Sequence, residues 1–197
     1  MQDNPLLTYS QTDSLVFLLR HGQIQETGEK RFIGSTDTAL DAAGISQARY
    51  WHQALSPLNI DTFYTSGLTR CRHTATIISE NRSVITHPEL NEIHLGQWDG
   101  MTFEEIKQQD PSGFKQRGEH LDTFRPPDGE SFLDLQNRVL PFFHQCLPEP
   151  GTPLFVTHAG VIRVILCHVT GLPLKHLFQI RMAYGQLFVL EKSKTSI

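Results

Sequence analysis

Five consecutive apolar residues, Leu15 to Leu19, lead directly into Arg20, His21 and Gly22. A run of large and branched side chains without alternation predicts a strand that is buried on both faces of a sheet. Side chains just past the carboxyl end of such a strand project into the crevice where α/β proteins bind ligands, so we expect a functional site here, with Gly22 letting a backbone approach a substrate closely. The alternative is an ordinary strand that runs out into solvent.

Alternating helical and extended patterns follow this first strand. Residues 24–41 show turn-forming residues and little periodicity, which predicts a long loop, and long loops after buried strands are usually functional. Thr102 with Glu105 forms a capping box and Ser131 is a helix cap, while Pro141 is expected to kink or end the second of these helices. Further strands are predicted at 60–65, 84–86, 153–157 and 186–191, and further helices at 42–55, 68–79 and 161–169.

This order of elements predicts a single α/β domain over residues 15–197. Strands that alternate with helices favour a three-layer α/β/α sandwich around a mostly parallel sheet. The polar, aperiodic residues 1–14 are interpreted as an N-terminal tail, and residues 114–130 as a polar stretch with a turn at 126–129.

Composition and charge exclude several classes of function. The net charge of -4 leaves no basic surface, so we expect no nucleic-acid partner. No stretch approaches the roughly 18 apolar residues of a membrane span, and the N-terminus lacks the basic region of a signal peptide. Cys71, Cys146 and Cys167 are widely spaced and odd in number, which predicts reduced cysteines in a cytoplasmic protein. A monomer and a homodimer both remain open.

Three more strands are predicted to end in chemically active residues. The strand at 153–157 is followed by His158, and the strand at 60–65 leads into a helix with Arg70 in its first turn. A cation is unfavourable at a helix N-terminus, so Arg70 indicates an anion nearby, although it could instead pair with a surface carboxylate. Glu92 follows the third strand. Since the strands are mostly parallel, all these side chains should meet at one edge of the sheet.

Two histidines, two arginines and a carboxylate at one edge predict phosphoryl transfer through a phosphohistidine. Arg20 and Arg70 offer the planar, bidentate donors that a phosphate dianion needs, and their charges keep His21 neutral and nucleophilic. Positioning and electrostatics do most of the work in phosphoryl transfer, so the arginines and His158 can replace a metal ion. Glu92 would protonate the leaving alkoxide and later take a proton from water. No metal and no cofactor are therefore expected.

The ordered motifs resemble the histidine phosphatase superfamily, which contains cofactor-dependent phosphoglycerate mutases and many small-molecule phosphatases. The resemblance extends from Leu15 to Leu190. The matching blocks are Leu19–Gln23, Arg31–Gly34 with Asp37, Thr65–Arg70, Leu90–Glu92, Gly96–Gly100, Pro127–Ser131 and Val156–Val161.

This resemblance implies roles for individual residues. It makes His21 the phosphorylated nucleophile, Glu92 the proton donor, and Arg20, Arg70 and His158 the phosphate ligands. Thr27 stands where relatives carry an asparagine, and its hydroxyl is a shorter donor; Ile33 stands where a small hydroxyl residue often binds phosphate and offers only its backbone N–H. The substrate-binding residues implied in all are Gly22, Gln23, Thr27, Ile33, Gly34, Ala159 and Tyr184.

The resemblance also suggests a substrate. Residues of about 97–130 would form a short cap, which admits water and favours hydrolysis over mutase activity. The chain looks most like α-ribazole phosphatases of cobalamin nucleotide-loop assembly, with Tyr184 available to stack on a base or sugar. The alternatives are a broad-specificity sugar-phosphate or fructose-bisphosphate phosphatase, then a phosphoglycerate mutase, and last a non-catalytic binding module. In each enzymatic case the partner is a small-molecule phosphate ester.

Signatures of other phosphatase chemistries are missing from the sequence. No Cys-x5-Arg loop, Asp-x-Asp pair, Gly-x4-Gly-Lys-Ser/Thr loop or His-Glu-x-x-His motif is present. The eight remaining histidines lack metal-ligand spacing and are interpreted as surface or satisfied core residues: His52, His73, His87, His94, His120, His144, His168 and His176.

Overall fold

A five-stranded sheet lies at the centre of the protein. The computed structural model describes residues 15–25, 28–80, 82–147 and 151–192, so the predicted tail at 1–14 and Thr27 lie outside the described residues. The strands are β1 (Leu15–Arg20), β2 (Thr62–Thr65), β3 (Val84–Thr86), β4 (Pro153–Thr157) and β5 (Leu187–Glu191). Their order is β3-β2-β4-β1-β5, and every pairing is parallel except that of β5 with β1. The prediction of a mostly parallel sheet is confirmed.

Helices cover both faces of this sheet. They are α1 (Ala42–Leu55), α2 (Thr69–Ser79), α3 (Phe103–Gln109), α4 (Pro111–Glu119), α5 (Phe132–Cys146) and α6 (Ala159–Thr170), with 3₁₀ turns at Pro88–Leu90, Gly96–Trp98 and Leu174–Gln179.

Side chains alternate along β1 between two apolar layers, as the strand geometry requires. Leu15, Phe17 and Leu19 pack with α1 and α2, whereas Val16 and Leu18 pack with α5 and α6. Both faces of β1 are buried, so the prediction of a strand buried on both faces is confirmed. The three-layer α/β/α arrangement follows directly from this alternation.

The helix starts agree with the capping signals in the sequence. The Thr102 hydroxyl accepts from the backbone N–H of Glu105 at 3.1 Å, and the Glu105 carboxylate accepts from the N–H of Thr102. Ser131 and Asp134 form the same reciprocal pair at the start of α5. Each pair satisfies two backbone donors that a helix N-terminus leaves without intrahelical partners.

The structure corrects one local prediction and excludes one of the two outcomes expected at Pro141. The first part of the polar stretch, residues 114–119, lies in α4, because Asp110 ends α3 and also caps α4. Pro111 occupies the first helical position, where a missing N–H costs nothing. Pro141 does not end α5, which continues to Cys146. Phe142, Phe143 and Cys146 are buried beyond the proline, and their burial favours continuing the helix over fraying at the lost hydrogen bond.

The long loop after β1 is tied to the body of the protein by two isolated bridges, Ile24 with Leu40 and Arg31 with Thr102. Among the described residues no helix is long and apolar enough to cross a bilayer.

Candidate active site

Two buried imidazoles lie side by side at the carboxyl edge of the sheet. β1 and β4 are neighbours, and His21 continues their ladder by donating its N–H to the Thr157 carbonyl at 2.9 Å. His21 is 4% exposed and His158 is fully buried, and their ring centroids are 5.2 Å apart. The predicted convergence of the two strand ends therefore brings these histidines together.

His21 is held as a neutral imidazole with one nitrogen free. Its Nδ1 lies 2.8 Å from the Gly22 carbonyl oxygen, which can only accept, so Nδ1 carries the proton and the lone pair is on Nε2. Burial lowers the pKa of His21 to about 3, and the charges of Arg70 and Arg20 add to this effect. At neutral pH this side chain is a nucleophile, not a cation.

His158 is fixed from both sides. Nδ1 accepts from Nε of Arg70 at 3.3 Å, so the ring proton lies on Nε2 and is donated to the Ser66 hydroxyl oxygen at 2.7 Å. Burial, reinforced by the nearby His21 and Arg70, lowers the pKa of His158 well below its ordinary value. The sequence interpretation assigned no role to Ser66, although it directly follows β2 and therefore lies at the same edge.

Arg70 is a buried cation whose partners in the structure are neutral. It is 1% exposed, and its terminal nitrogens donate to the carbonyl oxygens of Thr36 and Gly34, both at 2.7 Å. None of the ion pairs among the described residues includes Arg70. The alternative of a surface carboxylate partner is therefore wrong. A buried charge without a counter-charge is costly, and an anionic ligand would offset that cost.

Arg20 is partly buried, and its hydrogen bonding is incomplete. Its Nη1 donates to the Met182 carbonyl at 3.0 Å, while its buried Nε has no hydrogen-bond partner within the described part of the chain. The guanidinium lies 3.8 Å from the centroid of the Tyr184 ring, which is also 5.6 Å from the ring of His21. Burial lowers the pKa of Arg20. Tyr184 thus borders both the cation and the imidazole.

The Glu92 carboxylate is directed at the first turn of α6. It accepts from the N–H of Ile93 at 3.0 Å and from the N–H of Gly160 at 3.2 Å. A β-carbon at position 160 would lie 2.3 Å from Glu92 Oε1, so glycine is required for this approach. The positive end of the α6 dipole favours a carboxylate at this position.

Asp99 organises the loop that holds Arg70. It accepts from the backbone N–H groups of Gly34 and Thr36 and from the Ser35 hydroxyl, at 2.7 to 2.9 Å. Partial burial alone would raise the pKa of Asp99, but these hydrogen bonds outweigh it and lower that pKa. The Gly34 and Thr36 carbonyls that bind Arg70 belong to the same fixed segment. Asp99 belongs to the block Gly96–Gly100 that matches the superfamily, but nothing in the sequence indicates this positioning role.

The residues predicted to bind substrate make different contacts in the structure. Gly22 permits a close approach to α1, since a β-carbon there would lie 2.5 Å from the Gly44 carbonyl oxygen; its predicted approach to a substrate stays a prediction. The Gln23 side chain donates to Asp41 at 3.0 Å, and both backbone groups of Gly34 serve Asp99 and Arg70. Ala159 is the first residue of α6.

A cavity of about 430 Å³ lies next to residues that contact Arg20 and Arg70, since Tyr184 and Thr36 line it. Tyr184 and Gly100 line it together with residues of the loop after β1, and the wall combines the apolar side chains of Ile24 and Ile33 with polar and charged side chains. Among the polar groups, the buried hydroxyl of Thr38 has no hydrogen-bond partner in the described chain. Because Tyr184 contacts Arg20 and also faces the cavity, a ligand phosphate at the arginines could place the rest of the molecule there.

Comparison with known proteins agrees with this geometry. A profile of the histidine phosphatase superfamily (branch 1) matches residues 16–196. A relative described as a probable phosphoglycerate mutase GpmB, from Serratia proteamaculans, is 35% identical over 162 residues, which are 80% of this chain and 75% of the relative. The adenosylcobalamin/alpha-ribazole phosphatase of Escherichia coli is 28% identical over 174 residues, 86% of each chain.

A solved structure shows the same fold. The mycobacterial glucosyl-3-phosphoglycerate phosphatase in complex with VO3 superimposes with a TM-score of 0.80 at 27% identity, covering 90% of this chain and 92% of that chain.

Proposed function

This chain belongs to the histidine phosphatase superfamily and is a phosphoric monoester hydrolase, and we propose that it hydrolyses a small-molecule phosphate ester through a phosphohistidine on His21. The observation that carries the proposal is the neutral, buried His21 close to Arg70, which is buried without an ion-pair partner among the described residues, and to the partly buried Arg20. A phosphate dianion would neutralise both cations and place its phosphorus near Nε2.

Each catalytic role rests on a contact described above. Arg20 and Arg70 would bind the phosphate oxygens, and His158 would donate the Nε2 proton that Ser66 now accepts. Guanidinium groups suit this task because their donors are planar and strongly charged. Since charge accumulates on the equatorial oxygens in the transition state, these preorganised donors stabilise it without a metal ion or cofactor.

The reaction proceeds in two transfers. His21 Nε2 attacks phosphorus, the bond from phosphorus to the ester oxygen breaks, and Glu92 gives its proton to the departing alkoxide. Water then attacks the phosphohistidine, Glu92 takes its proton, and the phosphorus–nitrogen bond breaks to release phosphate and neutral His21. General acid–base help of this kind contributes about 10²- to 10⁴-fold.

The substrate proposed is α-ribazole 5′-phosphate. The relative from Escherichia coli bears that name, and the cavity beside Arg20 offers an aromatic ring, Tyr184, on which a base or sugar can stack. The cap formed by residues of about 97–130 is short and would admit water. We assign the enzyme to the cytoplasm, as a monomer or homodimer without nucleic-acid or membrane partners.

A sugar phosphate or a phosphoglycerate is the second candidate. The mycobacterial phosphatase of the same fold and the GpmB relative carry names that point to such substrates. Glu29, Lys30 and Arg31 at the cavity wall could bind hydroxyls or a carboxylate. A fructose bisphosphate belongs to the same class.

Phosphate release from a substrate panel in EDTA tests the proposal. The panel contains α-ribazole 5′-phosphate, 3-phosphoglycerate, fructose bisphosphates, nucleoside monophosphates and p-nitrophenyl phosphate. We expect kcat/KM for α-ribazole 5′-phosphate to exceed the others by at least about 100-fold. A flat profile would replace this substrate with a broad specificity. Mutase activity with a bisphosphate primer and no phosphate release would contradict hydrolysis itself.

A further inference from the structure

Two histidines outside the active site face each other across the α5–α6 interface. His144 lies in the last turn of α5 and His168 in the last turn of α6. Their Nε2 atoms are 3.1 Å apart, with ring centroids 4.9 Å apart and ring planes inclined at 51°. Because the two histidines are 24 positions apart in sequence, a search for ligand spacing does not find this pair.

The two Nε2 nitrogens are a hydrogen-bonded pair, in which the N–H of one imidazole donates to the lone pair of the other. A metal ion that bound here would replace the shared proton and have an imidazole nitrogen on each side. Zinc–nitrogen bonds of about 2.0–2.1 Å to atoms 3.1 Å apart would meet at roughly 98°, between the octahedral and tetrahedral angles. The separation of the two nitrogens therefore suits two ligands of one ion.

The surroundings keep the pair ordered and accessible. Both side chains are partly exposed, while the neighbouring Phe143, Cys146 and Cys167 are buried in the apolar layer between the helices. Imidazole nitrogens on two rigid, packed helices lose little conformational entropy when they bind an ion.

We propose that His144 and His168 form a two-imidazole site for a divalent transition metal of the zinc type. Imidazole suits zinc, copper and nickel, whereas Mg²⁺ and Ca²⁺ prefer oxygen ligands. Since no group of three or more His, Cys, Asp or Glu side chains suited to a metal occurs among the described residues, water would complete the coordination. The ion would join the ends of α5 and α6.

This site is separate from the proposed reaction. His168 is ten residues along α6 from His158, which corresponds to about 15 Å at the helical rise per residue. The ion would therefore act on stability and not on phosphoryl transfer. Since it binds the folded state only, its stabilisation should grow with metal concentration.

Thermal unfolding and calorimetric titration with ZnCl₂, in a buffer without phosphate, test the proposal. The wild type should bind one Zn²⁺ at this site and gain about 5 to 10 °C in Tm when the metal is at 100 times Kd, relative to EDTA. The variants His144→Gln and His168→Gln should each weaken binding by at least about tenfold and lose the gain in Tm. His73→Gln, which changes an exposed histidine of α2, is the matched control and should keep both.

The remaining histidines supply the competing explanation. Zinc bound at the catalytic imidazoles would inhibit hydrolysis and would be lost in His21→Ala, whereas the α5–α6 site should persist in that variant. Equal Zn²⁺ affinity in the wild type and in the double variant His144→Gln/His168→Gln would overturn the proposal. A wild type that shows no gain in Tm with ZnCl₂ would do so too.

Discussion

At the scale of single residues, burial decides the chemistry of His21. An exposed histidine would be partly protonated near neutral pH, but the removal of water and two neighbouring guanidinium groups lower its pKa to about 3. The Gly22 carbonyl then selects the tautomer with a free Nε2. A nucleophile is thereby prepared without a dedicated base.

The lowered pKa of His21 predicts an acid-sensitive stability. The unfolded chain takes up a proton near pH 6.5, whereas the folded protein does so only near pH 3, so wild-type stability falls as the pH drops through this window. The variant His21→Asn lacks this contribution. Between pH 8 and pH 5 it should therefore lose about 2 kcal/mol less stability than the wild type.

Urea unfolding at both pH values measures this difference. A wild type and a His21→Asn variant that lose equal stability on acidification would show that His21 is not held neutral. The exposed substitution His73→Asn serves as the control and should follow the wild type.

The loss of turnover on removing the Glu92 acid should increase with the basicity of the leaving group. Glu92→Gln keeps an oxygen for the N–H of Gly160 but cannot donate a proton in the same way. We expect turnover of an alkyl phosphate to fall by about 10²- to 10⁴-fold. Phosphorylation of the enzyme by p-nitrophenyl phosphate, whose leaving group needs no proton, should slow far less.

Burst kinetics with both substrates separate these effects. Equal losses for the two leaving groups would argue against Glu92 as the general acid. The affinity for inorganic phosphate, measured by competition, should stay close to that of the wild type.

At the scale of elements, two segments outside the strand ends position the cations and the acid. Asp99, at the end of a 3₁₀ turn, fixes residues 34–36, whose carbonyls orient Arg70. Gly160, in the first turn of α6, provides the space that Glu92 occupies. Each acts through another residue, so each is a positioning residue.

Asp99→Asn should weaken phosphate binding. In the wild type, each oxygen of Asp99 accepts from one backbone N–H, that of Gly34 or that of Thr36. The amide of asparagine has only one oxygen, so one of these hydrogen bonds is lost and the loop no longer holds Arg70 in its fixed geometry. We expect kcat/KM to fall by about 10- to 100-fold, with a higher inhibition constant for inorganic phosphate. Ser35→Ala removes one contact to the same carboxylate and should cost much less.

Gly160→Ala should reproduce the leaving-group dependence of Glu92→Gln. The added methyl would meet Glu92 Oε1 and force the carboxylate away, while α6 itself tolerates alanine. Gly118→Ala, at a helical position with open space around the missing β-carbon, is the matched control and should leave turnover unchanged. A Gly160→Ala enzyme with wild-type rates on alkyl phosphates would refute this placement of Glu92.

At the scale of the whole molecule, the two apolar layers enclose every cysteine. Cys71, Cys146 and Cys167 are buried in α2, α5 and α6. Burial raises the pKa of Cys71 to about 12 and that of Cys167 above its ordinary value. The high pKa makes Cys71 inert although its Sγ lies 3.3 Å from His158 Nε2.

Thiol labelling tests this enclosure. Native protein at pH 8 should react with Ellman's reagent at less than one thiol within minutes, and all three should react in guanidinium chloride. Rapid labelling of one thiol in the native state would show that a layer is open to solvent.

The sequence by itself determined the sheet and the five central residues of the site. Apolar runs that end in polar residues locate parallel strands and their carboxyl edge, because burial on both faces and the alternation of side chains leave few other arrangements. Capping residues likewise identified the starts of α3 and α5. α4 escaped notice because its single buried residue, Gly113, produces no apolar stripe.

Only the tertiary structure decided how those residues are held. Ser66 contacts His158, which is 92 positions away in sequence. Asp99 contacts residues 34–36, which are 63 to 65 positions away, and His144 contacts His168, which is 24 positions away. Local patterns carry no signal for such contacts, since they depend on how loops and helices pack. Likewise, the sequence does not indicate which backbone lies next to Gly22; the packed structure shows that it is α1. The pKa of His21 follows from burial, which is a property of the fold and not of the motif.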